Sequence, residues 1–372
     1  MKSPQRIVII TVLASLLAGA GAGVVSSILT SNSLENYATT LLGNRGFTAL
    51  EPRKPNSNPA DYAAAVRQVR DAQARSLALI TTKSVDATAP EKWITADDVA
   101  GLGVVVSADG WILTTNRELK TWQNPVAGAE VWVRGSRYAI EKVVADTLTE
   151  FVLVKLVAAN GLSPVGFGAS EDAWSGDMVF VLNNATEFVP STLADSEQIV
   201  LDGPQPAEHY ADAWSLATAN LEHGPVLSMS GDLLAFVTAN GVTLPLHHGA
   251  GFVQEVIRTG VPSHAALGAY VIDLSTIYNV APELRQGLSS GALVQAPAGK
   301  VAVPPQTPAA AANLLARDIV TAVDGEAVTS QVSLAELLAT YNPGQTAKLS
   351  LLREGSPIEI SVTLSDANTL LY

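Results

Sequence analysis

The chemistry open to this chain is bounded by its residue types. There is no cysteine, so a thiol nucleophile, a disulfide and a Cys-ligated zinc or iron–sulfur site are all excluded. Histidine occurs at five positions, His209, His223, His247, His248 and His264. His223 adjoins Glu222, and Ser228 and Ser230 follow closely. A hydroxyl, an imidazole and a carboxylate are the groups that nucleophilic acyl transfer requires. The competing reading is that the two serines are turn and strand residues. His247-His248 raises the question of a metal. Adjacent histidines on a strand point to opposite faces and rarely share an ion, so a solvated loop is expected there. Neither a metal nor a cofactor is expected from the sequence.

The 35 acidic and 22 basic residues give a formal net charge of −13. That balance argues against a nucleic-acid partner, because phosphate binding needs clustered Lys and Arg. A hydrophobic fraction of 48 % with only 15 % charged residues excludes wholesale disorder.

The elements that must position any site fall into four stretches. Residues 7–29 form an uninterrupted apolar run preceded by Lys2 and Arg6, with no further basic residue until Arg45. Such a run is long enough to cross a hydrocarbon core of ~30 Å, and the charge bias leaves the amino terminus inside and the bulk exported. An uncleaved transmembrane helix over 7–29 is expected, making 1–30 a cytoplasmic tip and anchor, although Ala18-Gly19-Ala20 and Ala20-Gly21-Ala22 would also suit a cleaved signal peptide. Residues 31–59 read as a proline-rich spacer, and Asp61–Ser76 as a helix that Asn58 would cap. From Leu77 to about Arg258 short β-type runs alternate with turns: 77–81, 103–106, 111–114, 130–133, 152–156, 178–182 and 233–237. Ala108-Asp109-Gly110 is a hairpin signal, and the pattern predicts an antiparallel barrel domain over 76–258. A second, smaller β-rich unit spans 260–366. It has strand-like 269–274, 318–323, 348–352 and 358–364, the turn Asp324-Gly325, and a helix over Ser333–Tyr341.

Three segments in this order resemble the HtrA family of exported serine proteases. They are Gly101-Leu-Gly-Val-Val-Val-Ser-Ala-Asp-Gly-Trp-Ile-Leu-Thr-Thr-Asn116, Thr149-Glu-Phe-Val-Leu-Val-Lys-Leu156, and Asn220-Leu-Glu-His-Gly-Pro-Val-Leu-Ser-Met-Ser-Gly-Asp-Leu-Leu-Ala-Phe-Val237. They are similar to the family's segments around the catalytic histidine, aspartate and serine. Leu315–Leu364 resembles the family's PDZ domain. The resemblance implies a mainly β chain: a chymotrypsin-like double β-barrel followed by a PDZ domain. It also implies a homotrimer, or mixing with an active relative.

At the chemistry the chain departs from that family. Arg117 stands at the histidine position, Glu150 at the aspartate position and Glu222 at the serine position, and Asn220 replaces a glycine of the oxyanion loop. A guanidinium with a pKa above ~12 cannot shuttle a proton near neutrality, and a carboxylate is not a hydroxyl to be activated. A pseudoprotease is therefore expected, with Arg117 bridging Glu150 and Glu222 if the cleft is kept. An active endopeptidase with displaced catalytic residues, and a subunit that regulates an active paralogue, are the alternatives.

The PDZ resemblance implies binding of a partner's C-terminus as an added strand, with loop N–H groups holding the terminal carboxylate. Ala266, Leu267, Gly268 and Ala269 would form that loop, and Tyr270, Val271 and the two residues after them the edge strand. Ser333 and Leu337 would lie on the opposite wall. Leu267, Ala269, Val271 and Leu337 would line a roomy pocket for an apolar last residue. The expected partners are protein C-termini or unfolded segments on the periplasmic side of a bacterial cytoplasmic membrane. The expected role is sensor or adaptor in protein quality control.

Overall fold

The computed structural model describes residues 62–82, 95, 99–115, 125–146, 148–182, 187–199, 203–219, 221, 224–238 and 241–370. The expected membrane span, the spacer and the Asn58 cap lie outside these residues. Among the described residues no helix is long and apolar enough to cross a membrane.

The Ala- and Arg-rich segment forms helix α1 (Tyr62–Ser76) and runs directly into β1 (Leu77–Thr82). Strands β2 (Val99–Val105), β3 (Trp111–Thr115), β4 (Ala129–Val133), β5 (Ser136–Ala145) and β6 (Phe151–Leu156) close with β1 into an antiparallel barrel. Around it the order is β1-β2-β3-β6-β5-β4. The Asp109-Gly110 hairpin signal is realised: Gly110 takes φ +93°, and Asp109 accepts from Ser107 and pairs with Lys155 at 2.6 Å. A second barrel follows, from β7 (Met178–Leu182), β8 (Phe188–Ile199), β10 (Asp212–Leu216), β11 (Gly224–Ser228), β12 (Leu233–Val237) and β13 (Thr243–Pro245). Between β8 and β10 lies the two-residue strand β9 (Gln205–Pro206).

The strands that read as continuous apolar runs are those covered on both faces. Every residue of β3 is buried. Ile112 points into the first barrel's interior, while Trp111 and Leu113 join a second core packed between the barrels. Val69 of α1, Phe180, Phe236 and Phe252 complete that shared core. Gly224, at the head of β11, must be glycine: a Cβ there would stand 1.9 Å from the carbonyl oxygen of Leu182. The carboxyl-terminal helix of this region, α2 (His247–Thr259), buries Phe252, Val253 and Val256 and stops at Gly260, which takes φ +78°.

Beyond it, β14 (Ala265–Ala266) pairs with β21 (Ser365–Asp366). The main sheet runs β20 (Ser356–Thr363), β19 (Thr346–Arg353), β17 (Ile319–Val323), β16 (Ala292–Val294), β15 (Tyr270–Asp273), with β18 (Glu326–Ala327) paired to β17. Helix α3 (Leu334–Ala339) covers it, shorter than the predicted 333–341. Ser333 is its N-cap rather than its first turn: it accepts from the Glu336 N–H, and Glu336 accepts from the Ser333 N–H at 2.6 Å, a complete capping box. The far edge of this sheet is β9, which arrives from the loop between β8 and β10 of the second barrel.

Candidate peptide-binding groove

Of the positions where the resemblance places a catalytic triad, Glu150 is the described one. It lies half-buried in the bend immediately before β6. Arg117, Asn220, Glu222 and His223 lie outside the described residues, and so does the expected Arg117 bridge. Beside Glu150, the fully buried Asp146 carboxylate accepts from the Leu148 N–H and the Thr149 hydroxyl, and meets His264 Nε2 at 2.6 Å. Ser228 and Ser230 share a 2.7 Å hydrogen bond at the turn after β11, and Ser230 donates to Asp232. No histidine figures in their hydrogen bonds among the described residues, in keeping with turn and strand residues.

The loop Ala266–Ala269 is rigid for identifiable reasons. Gly268 takes φ +73°, the left-handed region that glycine enters freely. A Cβ there would also stand 2.6 Å from Thr307 Cβ. Thr307 is itself fixed, since it caps the short helix Pro308–Ala311, whose Ala309 N–H donates to the Leu267 carbonyl at 2.9 Å. Leu267, Ala269, Val271 and Leu337, the four predicted pocket residues, share one buried cluster. Ser333 stands apart from that cluster as the cap of α3.

The edge of Tyr270–Asp273 is not open, contrary to the sequence-based expectation. Strand β9 pairs antiparallel with it, Pro206 opposite Tyr270 and Gln205 opposite Val271. The Ala207 N–H then donates to the Ala269 carbonyl at 2.9 Å. Ala207 is 1 % exposed and belongs to the same cluster as Leu267, Ala269, Val271 and Leu337. Next, Glu208 is 3 % exposed, its carboxylate facing the Leu267 and Gly268 N–H groups. Burial pushes that carboxyl up to about 7, against the opposing pull of the N–H groups of Glu208, Leu267 and Gly268 and the charge of His264. Neither oxygen closes a full hydrogen bond. A turn then closes through the His209 N–H to the Pro206 carbonyl. Nothing in Gly203-Pro-Gln-Pro-Ala-Glu208 signals a strand: two prolines and no alternation read as a loop. The one available signal was an acidic side chain immediately after a small apolar residue.

His247 and His248 are neither on a strand nor in a solvated loop. They open α2, and His248 is buried, stacked on Tyr210 with ring centroids 3.9 Å apart. Helical spacing turns adjacent residues by about 100° instead of 180°, so the two rings can approach one point. His247 bonds Ser170 through Nδ1 at 3.0 Å and faces Glu336 through Nε2 at 3.5 Å. His248 Nε2 lies 3.6 Å from Asp212. Burial works to raise the Asp212 carboxyl, yet its His248 contact brings it below the usual carboxylate range, while burial lowers His248. The ligating atoms of His247, His248 and Glu336 lie within 4.8 Å of one another, a donor set of the kind that suits a divalent transition metal.

The PDZ domain family matches residues 265–364. The chain is 24 % identical over 288 residues to the periplasmic pH-dependent serine endoprotease DegQ of Escherichia coli (strain K12), covering 72 % of this chain and 60 % of that one. It is 24 % identical over 279 residues to a probable periplasmic serine endoprotease DegP-like of Brucella suis biovar 1, covering 71 % and 52 %. The chain thus spans little more than half the length of these relatives. Among solved structures, HtrA-type protease AlgW with decapeptide superposes with a TM-score of 0.56 at 19 % identity, over 82 % of this chain and 99 % of that one. AlgW with tripeptide gives the same TM-score and identity, over 82 % and 97 %. The chain therefore has the trypsin-like double-barrel fold with a PDZ domain after it.

Proposed function

We propose that this chain is an HtrA-like pseudoprotease that recognises protein C-termini through its PDZ groove and acts as a sensor or adaptor outside the cytoplasm. The observation that carries it is the carboxylate-facing loop. Gly268, in the left-handed region, turns the Leu267 and Gly268 N–H groups toward one carboxylate beside an apolar pocket. Backbone N–H groups converging on one point form an anion site, and an apolar pocket next to it selects the side chain that carries the carboxylate. Both solved neighbours are described as holding a peptide, which supports the same reading for this groove.

Loss of peptidase chemistry follows from residue type. Arg117 offers no base and Glu222 no hydroxyl. The periplasmic relatives support an exported location, with residues 7–29 as the anchor. A homotrimer, or mixing with an active paralogue, belongs to the same proposal.

The test uses the full chain in detergent with a library of decapeptides, each as free acid and as C-terminal amide. Binding of free acids with small apolar last residues, lost on amidation, is expected. Equal binding of acids and amides would remove the groove reading. A fluorophosphonate probe should leave every serine unlabelled. Stable labelling of one serine together with casein cleavage would make the chain an enzyme.

A further inference from the structure

Residues 205–208 occupy the groove as a peptide would. Antiparallel pairing with β15, the N–H of the pocket residue bonded to the last loop carbonyl, a small apolar side chain in the pocket and a carboxyl at the loop N–H groups all come from one short segment of the same chain. The arrangement satisfies the requirements of strand addition with side-chain selection at alternate positions. We infer that the segment around Gln205–Glu208 is a resident intramolecular ligand of the PDZ groove, which a free C-terminus ending in a small apolar residue must displace in order to bind. The inference rests on reading the groove as a C-terminal peptide site.

Two features make the occupant displaceable rather than a permanent part of the core. Its carboxylate belongs to the side chain of the residue after Ala207, so it reaches the loop from one residue further on, and neither oxygen completes a hydrogen bond. A true terminus carries its carboxylate on the pocket residue itself and can bring both oxygens into line with the N–H groups. Only two residues form the ladder, Gln205 with Val271 and Pro206 with Tyr270, and proline has no N–H to give it. Against displacement works the tether. A short tether supplies an effective concentration in the millimolar range, so a weak occupant still holds the groove against micromolar peptide.

The ligand class follows from the occupant. Ala207 fills the pocket, and Ala269 contributes only a methyl to its wall. The preferred tails end in alanine or a residue of similar size, with a free carboxylate. Displacement has a structural consequence in the barrel. The segment is the connection from β8 to β10, and Tyr210, three residues after Ala207, stacks on His248. Strand β10 begins at Asp212 and leads into residues 217–223, the stretch that includes Glu222. Peptide in the groove therefore frees the entry to β10.

The probe is a synthetic octapeptide with the sequence of residues 200–207, Val-Leu-Asp-Gly-Pro-Gln-Pro-Ala, with a free carboxylate at its last alanine. Its binding is measured to the full chain and to Ala207→Lys and Ala207→Asp, either of which expels the occupant by forcing a charge toward the pocket. Affinity is expected to rise at least about 10-fold in both variants, and the amidated octapeptide to bind none of the three proteins. In the unsubstituted chain, hydrogen exchange at the Ala207 N–H is expected to be slow and to accelerate on adding the octapeptide. Equal affinity in all three proteins, with the Ala207 N–H unprotected, overturns self-occupancy while leaving C-terminal recognition standing. If neither this octapeptide nor free-acid decapeptides with small apolar ends bind the variants, with their thermal melts still cooperative, both readings fall.

Discussion

His264 Nε2 lies 2.6 Å from Asp146 Oδ1, joining the segment that leads into β14 to the turn that holds Glu150. The carboxylate is fully buried, and its other partners are the Leu148 N–H and the Thr149 hydroxyl. A carboxylate with no exposure cannot exchange a lost partner for water. Replacing His264→Ala is therefore expected to cost about 1–3 kcal/mol, read as a lowered urea midpoint with an unchanged slope. An unchanged midpoint would show that the pair contributes no net stability.

The Glu208 carboxyl gives the groove a pH dependence of defined sign. Its pKa in the docked state is raised from the ordinary 4.5 to about 7. The docked state therefore favours the neutral form: docking is unperturbed below pH ~4.5 and is progressively weakened as Glu208 ionises up to pH ~7, by about 3 kcal/mol in all. Octapeptide affinity for the unsubstituted chain should rise across that window. In Glu208→Gln it should stay level, with the neighbouring His209 and His264 side chains retained in both proteins. A parallel rise in the two proteins would assign the effect to a histidine.

Gly268→Ala tests the loop itself. The new methyl meets Thr307 Cβ at 2.6 Å in a backbone of φ +73°, so strain and overlap act together. Losses of about 2–4 kcal/mol in stability and of at least about 10-fold in peptide affinity are expected. Wild-type affinity in a folded Gly268→Ala protein would remove the loop from the binding site.

Arg353 closes a fork on Asp318, with Nε donating to Oδ1 at 2.8 Å and Nη2 to Oδ2 at 2.6 Å, while Asp318 is 1 % exposed. Arg353→Met strands a buried carboxylate that still accepts from the Leu315 N–H. The expected cost is about 2–4 kcal/mol, seen as a lower thermal midpoint. Asp318→Asn combined with Arg353→Met should recover part of it, because no buried charge then remains.

Much of the scaffold was legible because local pattern reports local burial. Strand β7 was found at its full length from its apolar run, as was β12, and α1 from its composition. Strand β5 was missed because most of its ten residues face water and carry no apolar signal. Glu150 could be named from its neighbours in the chain, and the four pocket residues from the PDZ resemblance. The pairing of Gln205 and Pro206 with β15 could not.

The sequence by itself determined which apolar runs become buried strands, the turn that Gly110 must fill, and the residue types available for chemistry. Those follow from side-chain size, charge and spacing within a few residues. Only the tertiary structure decided that Ala207 joins the buried cluster of Leu267, some sixty positions away, and that the ligating atoms of His247, His248 and Glu336 lie within 4.8 Å of one another. Both depend on shape and charge matching between surfaces remote in sequence, where closing the intervening chain costs entropy that no local pattern records.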